Sequence, residues 1–272
     1  MLTDGKTMEV IAGKPKKKLI HKLGMRYNSN NKKTLKATTE LRERRQVRGQ
    51  LSNKFEPKLT NLWDFSRCDP CFGFEYPGRM PGQIVQNLLY YYTEKDDLVV
   101  DPFAGSGTTI DVCKIMKRRC VAFDLNPLRR NITQNNVLDG IPVGNCNFII
   151  LDPPYWLQKK GAYTDKHNDL SNMSFDNFMR AMKKTFSICY GILVEGGHIA
   201  FISSPAKTNG KIYDIPFECY KLLLDEGFKL QERIIVPYRG ASSITGYWLA
   251  YARKSKTMLR AYRDLLVLKK MD

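Results

Sequence analysis

The string Asp152-Pro153-Pro154-Tyr155 carries the densest chemistry in the chain. It closes an apolar run, NFIILD (147–152), that reads as a buried parallel strand. Two consecutive prolines stiffen the turn and remove two backbone donors. The Asp152 carboxylate and the Pro153 carbonyl are then left as fixed acceptors. An amino group on a base offers two N–H donors, and holding both tilts the nitrogen lone pair out of ring conjugation and toward an electrophile. Tyr155 can stack on a base in a flipped-out pose. A bare tetrapeptide of this kind could equally be an ordinary loop; its place after a strand and downstream of a glycine loop favours the chemical reading.

That glycine loop is Asp101-Pro102-Phe103-Ala104-Gly105-Ser106-Gly107-Thr108-Thr109, which follows the short apolar run LVV directly. Glycines at 105 and 107 let the backbone turn tightly and approach a ligand with no Cβ in the way. The loop falls at the first strand-to-helix crevice, where doubly wound sheets bind ligands. One strand later Asp124 closes VAFD. A carboxylate there can accept from both hydroxyls of a ribose, which suits a dinucleotide or S-adenosylmethionine. Its structural alternative is a helix cap ahead of Asn126-Pro127.

These residues need a scaffold. LVVDPF, RCVAFDL (119–125), NFIILD and HIAFIS (198–203) read as buried strands, with helices expected at 82–93, 107–117, 127–137 and 174–192. The alternation predicts an α/β fold with a mostly parallel, doubly wound, Rossmann-like sheet. FKLQERIIVPY and TGYWLAYAR read as two strands joined by a short loop, placing an antiparallel strand near the C-terminus.

The net charge of +17 is unevenly spread: residues 1–60 hold 11 Lys, 5 Arg and 5 acids. Residues 1–61 are read as a basic extension, irregular over 1–35, and 62–272 as the globular body. A basic arm on a nearly balanced body is the footprint of a polyanion partner, with a merely solubilising tail as the bland alternative. Trp63 and Phe65 are expected to pack the extension on the body, and Tyr90-Tyr91-Tyr92 to serve packing rather than base stacking. The apolar runs are strand-sized, which argues against a membrane span, and no secretory signal is visible at the N-terminus, so a cytoplasmic location is expected. Seven cysteines, mostly in apolar segments, suit reduced thiols. Cys68-Asp69-Pro70-Cys71 has half a zinc spacing, without a second pair, so no metal is expected.

DPFAGSGTT followed by DPPY resembles the DNA amino-methyltransferase family, which makes N6-methyladenine or N4-methylcytosine. The resemblance runs over residues 72 to 270. It implies a class I methyltransferase fold, S-adenosyl-L-methionine as cofactor and DNA as partner. Asp101, Phe103, Gly105 and Gly107 would lie along the cofactor, with Ala104, Ser106 and Thr108 completing the loop. Asp124 would bind the ribose, flanked by Leu125 and Asn126, and Asp139 would read the adenine. Pro81 matches a proline of the segment that leads into the cofactor strand, whereas Met80 stands where the family commonly has Lys. Asp152, Pro153, Pro154 and Tyr155 would hold the target base. A second copy of the chain and a cognate restriction endonuclease are further partners that the resemblance admits.

Cofactor motif precedes catalytic motif, with no space between them for a recognition domain. DNA contacts are therefore expected from Lys16, Lys17 and Lys18 in the extension, from Lys159 and Lys160 in the loop Trp156 to Met173, and from Arg239 in the loop Pro237 to Thr245. Adenine N6 in DNA is the expected acceptor. Cytosine N4, guanine N2 of tRNA, and a non-catalytic nucleic-acid-binding subunit on the same scaffold are the alternatives.

Overall fold

In a computed structural model of the chain, the described residues are 55–65, 68–75, 78–156, 170–208, 210–238 and 246–271. Their elements, in order, are α1 (Gly82–Tyr92), β1 (Leu98–Asp101), α2 (Thr108–Met116), β2 (Arg119–Asp124), β3 (Thr133–Gln134), β4 (Cys146–Leu151), α3 (Phe175–Ile192), β5 (Leu193–Ser203), β6 (Ala206–Thr208), β7 (Lys211–Tyr213), α4 (Ile215–Asp225), β8 (Phe228–Pro237), α5 (Gly246–Ser255) and β9 (Tyr262–Lys270). Seven strands form one sheet in the order β3-β2-β1-β4-β5-β9-β8. Pairing is parallel from β3 through β5, and β9 runs antiparallel between β5 and β8. This is the expected α/β Rossmann-like class with one antiparallel strand.

Side chains on a strand alternate between faces, and here each face has its own core. Val99, Phe148, Ile150, Ala200, Ile202, Leu265 and Val267 pack with Ile84, Val85, Leu88 and Leu89 of α1 and with Val112 of α2. Val100, Ile149, Leu151, Ile199, Phe201, Leu266 and Leu268 pack with Phe178, Met182 and Phe186 of α3 and with Cys219 and Leu223 of α4. The result is a three-layer sandwich. Ser174 and Asp214 cap α3 and α4, each accepting a backbone N–H three residues on.

Two expected elements are corrected. TGYWLAYAR is not a strand: residues 246–255 form α5, and the antiparallel strand is YRDLLVLKK. The slot beside β5 is covered on both faces, so it selects a run that is apolar throughout, and Leu265, Leu266, Val267 and Leu268 supply it. Ala250, Ala252, Leu249, Arg253 and Lys254 are good helix formers and take the helix once they are outside the sheet. The helix expected at 127–137 is likewise absent: that stretch holds the two-residue β3 and a single 3-10 turn at Val137–Asp139. Asn and Thr are weak helix formers, and Arg129 is held by side-chain bonds to Asp111 and Asn131.

Residues 61–63 lie along β8. Trp63 N donates to Ile235 O at 2.9 Å and Ile235 N to Asn61 O at 2.8 Å. Trp63 is buried and stacks on Tyr91 at 6.5 Å, Phe55 meets Tyr90 at 5.7 Å, and the Tyr91 hydroxyl donates to Lys58 O. The tyrosine run thus contacts the residues before α1, with Tyr90 and Tyr91 keeping exposed surface. All seven cysteines are free thiols, and burial pushes those of Cys146, Cys189 and Cys219 up. Among the described residues no helix is long and apolar enough to cross a membrane.

Candidate active site

Strand order determines which side chains can meet. β2, β1 and β4 are neighbours, parallel and nearly in register, with Asp101 opposite Ala122 and Val100 opposite Ile149. Their carboxyl ends therefore project Asp124, Asp101 and Asp152 from one edge, on strands separated by about 4.8 Å each. The chain steps outward from β1 to β2 and β3, then crosses back to β4. The gap between β1 and β4 is the topological switch point, where open α/β sheets bind ligands.

The glycine loop spans this crevice. Gly105 and Gly107 hold φ of 46° and 79°, a region that other L-residues rarely occupy. A Cβ on Gly107 would come within 2.5 Å of the Arg129 guanidinium. Gly105 N donates to Asp124 Oδ2 at 2.8 Å and Asn126 N to Asp124 Oδ1 at 2.8 Å, which orients the carboxylate. Ala104 N donates to Phe123 O at 2.9 Å, tying loop to strand. Ser106 and Thr108 are buried, their hydroxyls 3.4 Å apart, and Phe103 is half-buried, packed against the core.

Asp101 is buried and accepts from Phe103 N at 3.0 Å. Burial, with the nearby charges of Asp152 and Asp124, pushes its carboxyl up to about 7, against the opposing hydrogen bonds from Thr109 and Phe103. A carboxyl poised there accepts a cationic partner readily, because the partner would relieve the cost of its ionisation.

An ion pair that the sequence did not disclose holds the loop from behind. Arg129 is buried and makes a two-pronged bond to Asp111, 2.9 Å on each arm, while its NH1 also donates to Ser106 O and Gly107 O. Asp111 Oδ2 further accepts Gly73 N at 2.8 Å. The pair thus ties together the segment before α1, the glycine loop and the turn after β2. The weak signal for it was Asp111, an acid in the first turn of a helix that opens on the glycine loop.

At the other side of the crevice Pro153 is buried, and Asp152, Pro154 and Tyr155 are half-buried. The Tyr155 hydroxyl points inward. It makes no well-formed hydrogen bond with the described residues, although the Arg263 guanidinium lies close enough to act on it. Burial, then the Asp152 charge, raises the Tyr155 phenol well above 10. The hydroxyl end is buried, while part of the residue's surface stays exposed. Arg263 is buried at the start of β9, over the Tyr238 ring at 5.3 Å, with its Nε unpartnered among the described residues. Burial lowers its pKa, but the Tyr155, Asp152 and Tyr238 side chains beside it outweigh that and raise it on balance. Arg263 and Tyr238 were not foreseen, and only a charged residue directly before the apolar run of β9 hinted at them.

Other expected site residues are placed as follows. Pro81 is half-buried at the start of α1, and the neighbouring Met80 is buried. Leu125 and Asn126 form the turn after Asp124. Asp139 is exposed at the end of a 3-10 turn rather than after a helix, and accepts from Asn136 Nδ2 at 3.1 Å. Trp156 closes the base of its loop, donating to Met173 O at 2.9 Å and packing on Phe175 and Tyr213. Lys16, Lys17, Lys18, Lys159, Lys160 and Arg239 lie outside the described residues. Cys68 and Cys71 belong to the segment before α1, and among the described residues no three His, Cys, Asp or Glu side chains gather as a metal site.

The chain overlaps partly with solved structures. It matches TrmN of Thermus thermophilus at 17% identity and a TM-score of 0.48, over 71% of this chain and 49% of that one. It matches 1,6-didemethyltoxoflavin-N1-methyltransferase of Burkholderia thailandensis at 12% and 0.46, over 70% and 78%. Among curated sequences it is similar to the type II methyltransferases M.HpaI of Haemophilus parainfluenzae (32% identical over 69 residues, 25% of this chain and 22% of the relative) and M.HindIII of Haemophilus influenzae (35% over 66 residues, 24% and 21%). A longer stretch of 109 residues is 28% identical to M.MjaII of Methanocaldococcus jannaschii, covering 40% and 19%. The matched segments span about a fifth of the length of these relatives. A family model described as DNA methylase matches residues 4–135 and 146–262, and with that span the chain belongs to the N6/N4 DNA methylase family, whose methyl donor is S-adenosylmethionine.

Proposed function

We propose that this chain transfers a methyl group from S-adenosylmethionine to N6 of adenine in DNA. N4 of cytosine is a second acceptor that presents the same pair of N–H donors. The observation that carries the reading is the row of Asp124, Asp101 and Asp152 on neighbouring parallel strands, with the glycine loop over the first two and the rigid Pro153-Pro154 turn after the third.

The residues fit the cofactor. Two left-handed glycines let the backbone approach it, Asp124 is oriented to accept ribose hydroxyls, and buried Asp101 faces a site suited to a cationic ammonium. When bound, S-adenosylmethionine supplies a methyl group already activated on a positively charged sulfur. The protein's contribution is therefore alignment and charge. Asp152 and the Pro153 carbonyl accept hydrogen bonds from the two amine N–H groups and aim the nitrogen lone pair along the crevice. Tyr155 stacks on the flipped base. Its high phenol pKa keeps it protonated, so it positions and does not act as a base. Asp152 receives the proton that the methylated nitrogen releases.

The test is incubation of the purified chain with isotopically labelled donor and unmethylated DNA, then digestion and mass spectrometry of the nucleosides. Labelled N6-methyl-2′-deoxyadenosine is expected from the DNA. Labelled N4-methylcytosine would move the acceptor to cytosine. Label only in an RNA control would overturn the DNA reading, and cofactor binding without any transfer would favour a non-catalytic subunit.

A further inference from the structure

We propose that α5 and the chain that follows it, residues 246–262, form a DNA-docking surface beside the active site. Its basic residues would hold phosphates, and its aromatic residues would stack against bases next to the flipped nucleotide. The inference rests on the reading above and adds the element that grips the substrate.

α5 buries none of its residues. Tyr247 is 72% exposed, Trp248 43%, Tyr251 50% and Met258 95%, a density of large apolar side chains that solvent alone does not favour. Tyr247, Trp248 and Tyr251 meet edge to face at 5.4 and 5.9 Å, so they form one continuous aromatic strip. Arg253, Lys254, Lys256 and Arg260 are exposed immediately after it. From Pro237 to Arg263 the sequence contains six Lys and Arg and no acid.

The strip emerges beside the chemistry. β8 ends and β9 begins at the same edge, with Pro237 opposite Tyr262 and Ser203 opposite Asp264. That edge is the carboxyl end of β5, which runs parallel to β4 and so ends beside Asp152. Tyr238 N donates to Ala261 O at 2.7 Å and closes the base of the protrusion. At its foot stands Arg263, whose charge reaches both Asp152 and Tyr155.

Charge selects the occupant. The residues before Phe55 carry ten Lys, five Arg and four acids. They have the same sign as the strip and repel it, and a second copy of a +17 chain does likewise. A polyanion with exposed π-faces is complementary on both counts. A basic surface beside exposed aromatic side chains is how nucleic acid is gripped where bases are unstacked, and a flipped base leaves its neighbours unstacked.

Two full-length variants test this, Tyr247→Ala/Trp248→Ala and Arg253→Ala/Lys254→Ala/Lys256→Ala. Both should keep the wild-type thermal midpoint and S-adenosylhomocysteine affinity, because the residues are exposed and outside the crevice. On a duplex fragment over a salt series, the aromatic variant should lose about tenfold or more in affinity at every salt. The basic variant should flatten the log–log salt slope by about two to three. Unchanged affinity and slope in both, with DNA still methylated by the wild type, would overturn the inference and leave the proposed function standing. A wild type that methylates only RNA would overturn the proposed function by itself. Sedimentation showing a wild-type dimer that the aromatic variant turns into monomer, with DNA affinity intact, would assign the strip to self-association and overturn the inference.

Discussion

Asp101→Asn probes a carboxyl in the crevice that burial holds well above the usual carboxylate range. A carboxyl raised from 3.8 to about 7 by burial is protonated in the folded chain over a range where the unfolded chain is ionised. The folded state then binds the extra proton, so stability falls as pH rises from about 4 to about 7 and is level above. The displacement corresponds to roughly 4 kcal/mol as an upper figure. Asparagine keeps the acceptor for Phe103 N and removes the charge. Its stability minus that of the wild type should therefore grow across this window and then plateau. Urea denaturation of both proteins at pH 5, 6, 7 and 8 measures the difference. The same charge governs ligand binding: below pH 7 cofactor affinity should rise up to about tenfold per pH unit as Asp101 ionises against the ammonium. Calorimetry in buffers of different ionisation enthalpy should show proton release near pH 6.5. The asparagine variant should bind weakly at pH 8, with a flat profile. A stability difference that does not vary with pH, together with no proton release, would refute the reasoning.

Asp152→Ala should abolish methyl transfer while cofactor affinity, read by calorimetry, stays within a few-fold; an equal loss of both would contradict its role at the target amine. Gly107→Val should remove cofactor binding, because φ of 79° and a Cβ 2.5 Å from Arg129 leave no place for a branched side chain; near-normal affinity would mean that the loop lies away from the cofactor. Arg129→Met should cost about 3–5 kcal/mol by leaving Asp111 without its buried partner, and Arg129→Met/Asp111→Leu should recover part of it. A double-mutant cycle by urea denaturation reads the coupling, and additive losses would show that the pair is not a unit.

What the sequence settled by itself is local and contiguous. Apolar runs ending in Asp marked β1, β2 and β4, the glycine string required left-handed backbone, and the two prolines made a rigid turn, since each depends on neighbours within a few residues. Where the chain had to choose a partner, local pattern was insufficient. The aromatic run at 246–255 and the leucine run at 262–270 could each be a strand, and only the doubly covered slot beside β5 chose between them. The stretch 127–137 carried helix-like spacing but was drawn off by Arg129 reaching Asp111. The Arg129–Asp111 tie, the approach of Arg263 to Tyr155, and the assembly of Asp124, Asp101 and Asp152 on one edge join residues 18 to 108 positions apart. Such contacts follow from strand order, which is decided by the burial of the whole sheet and not by any segment of it.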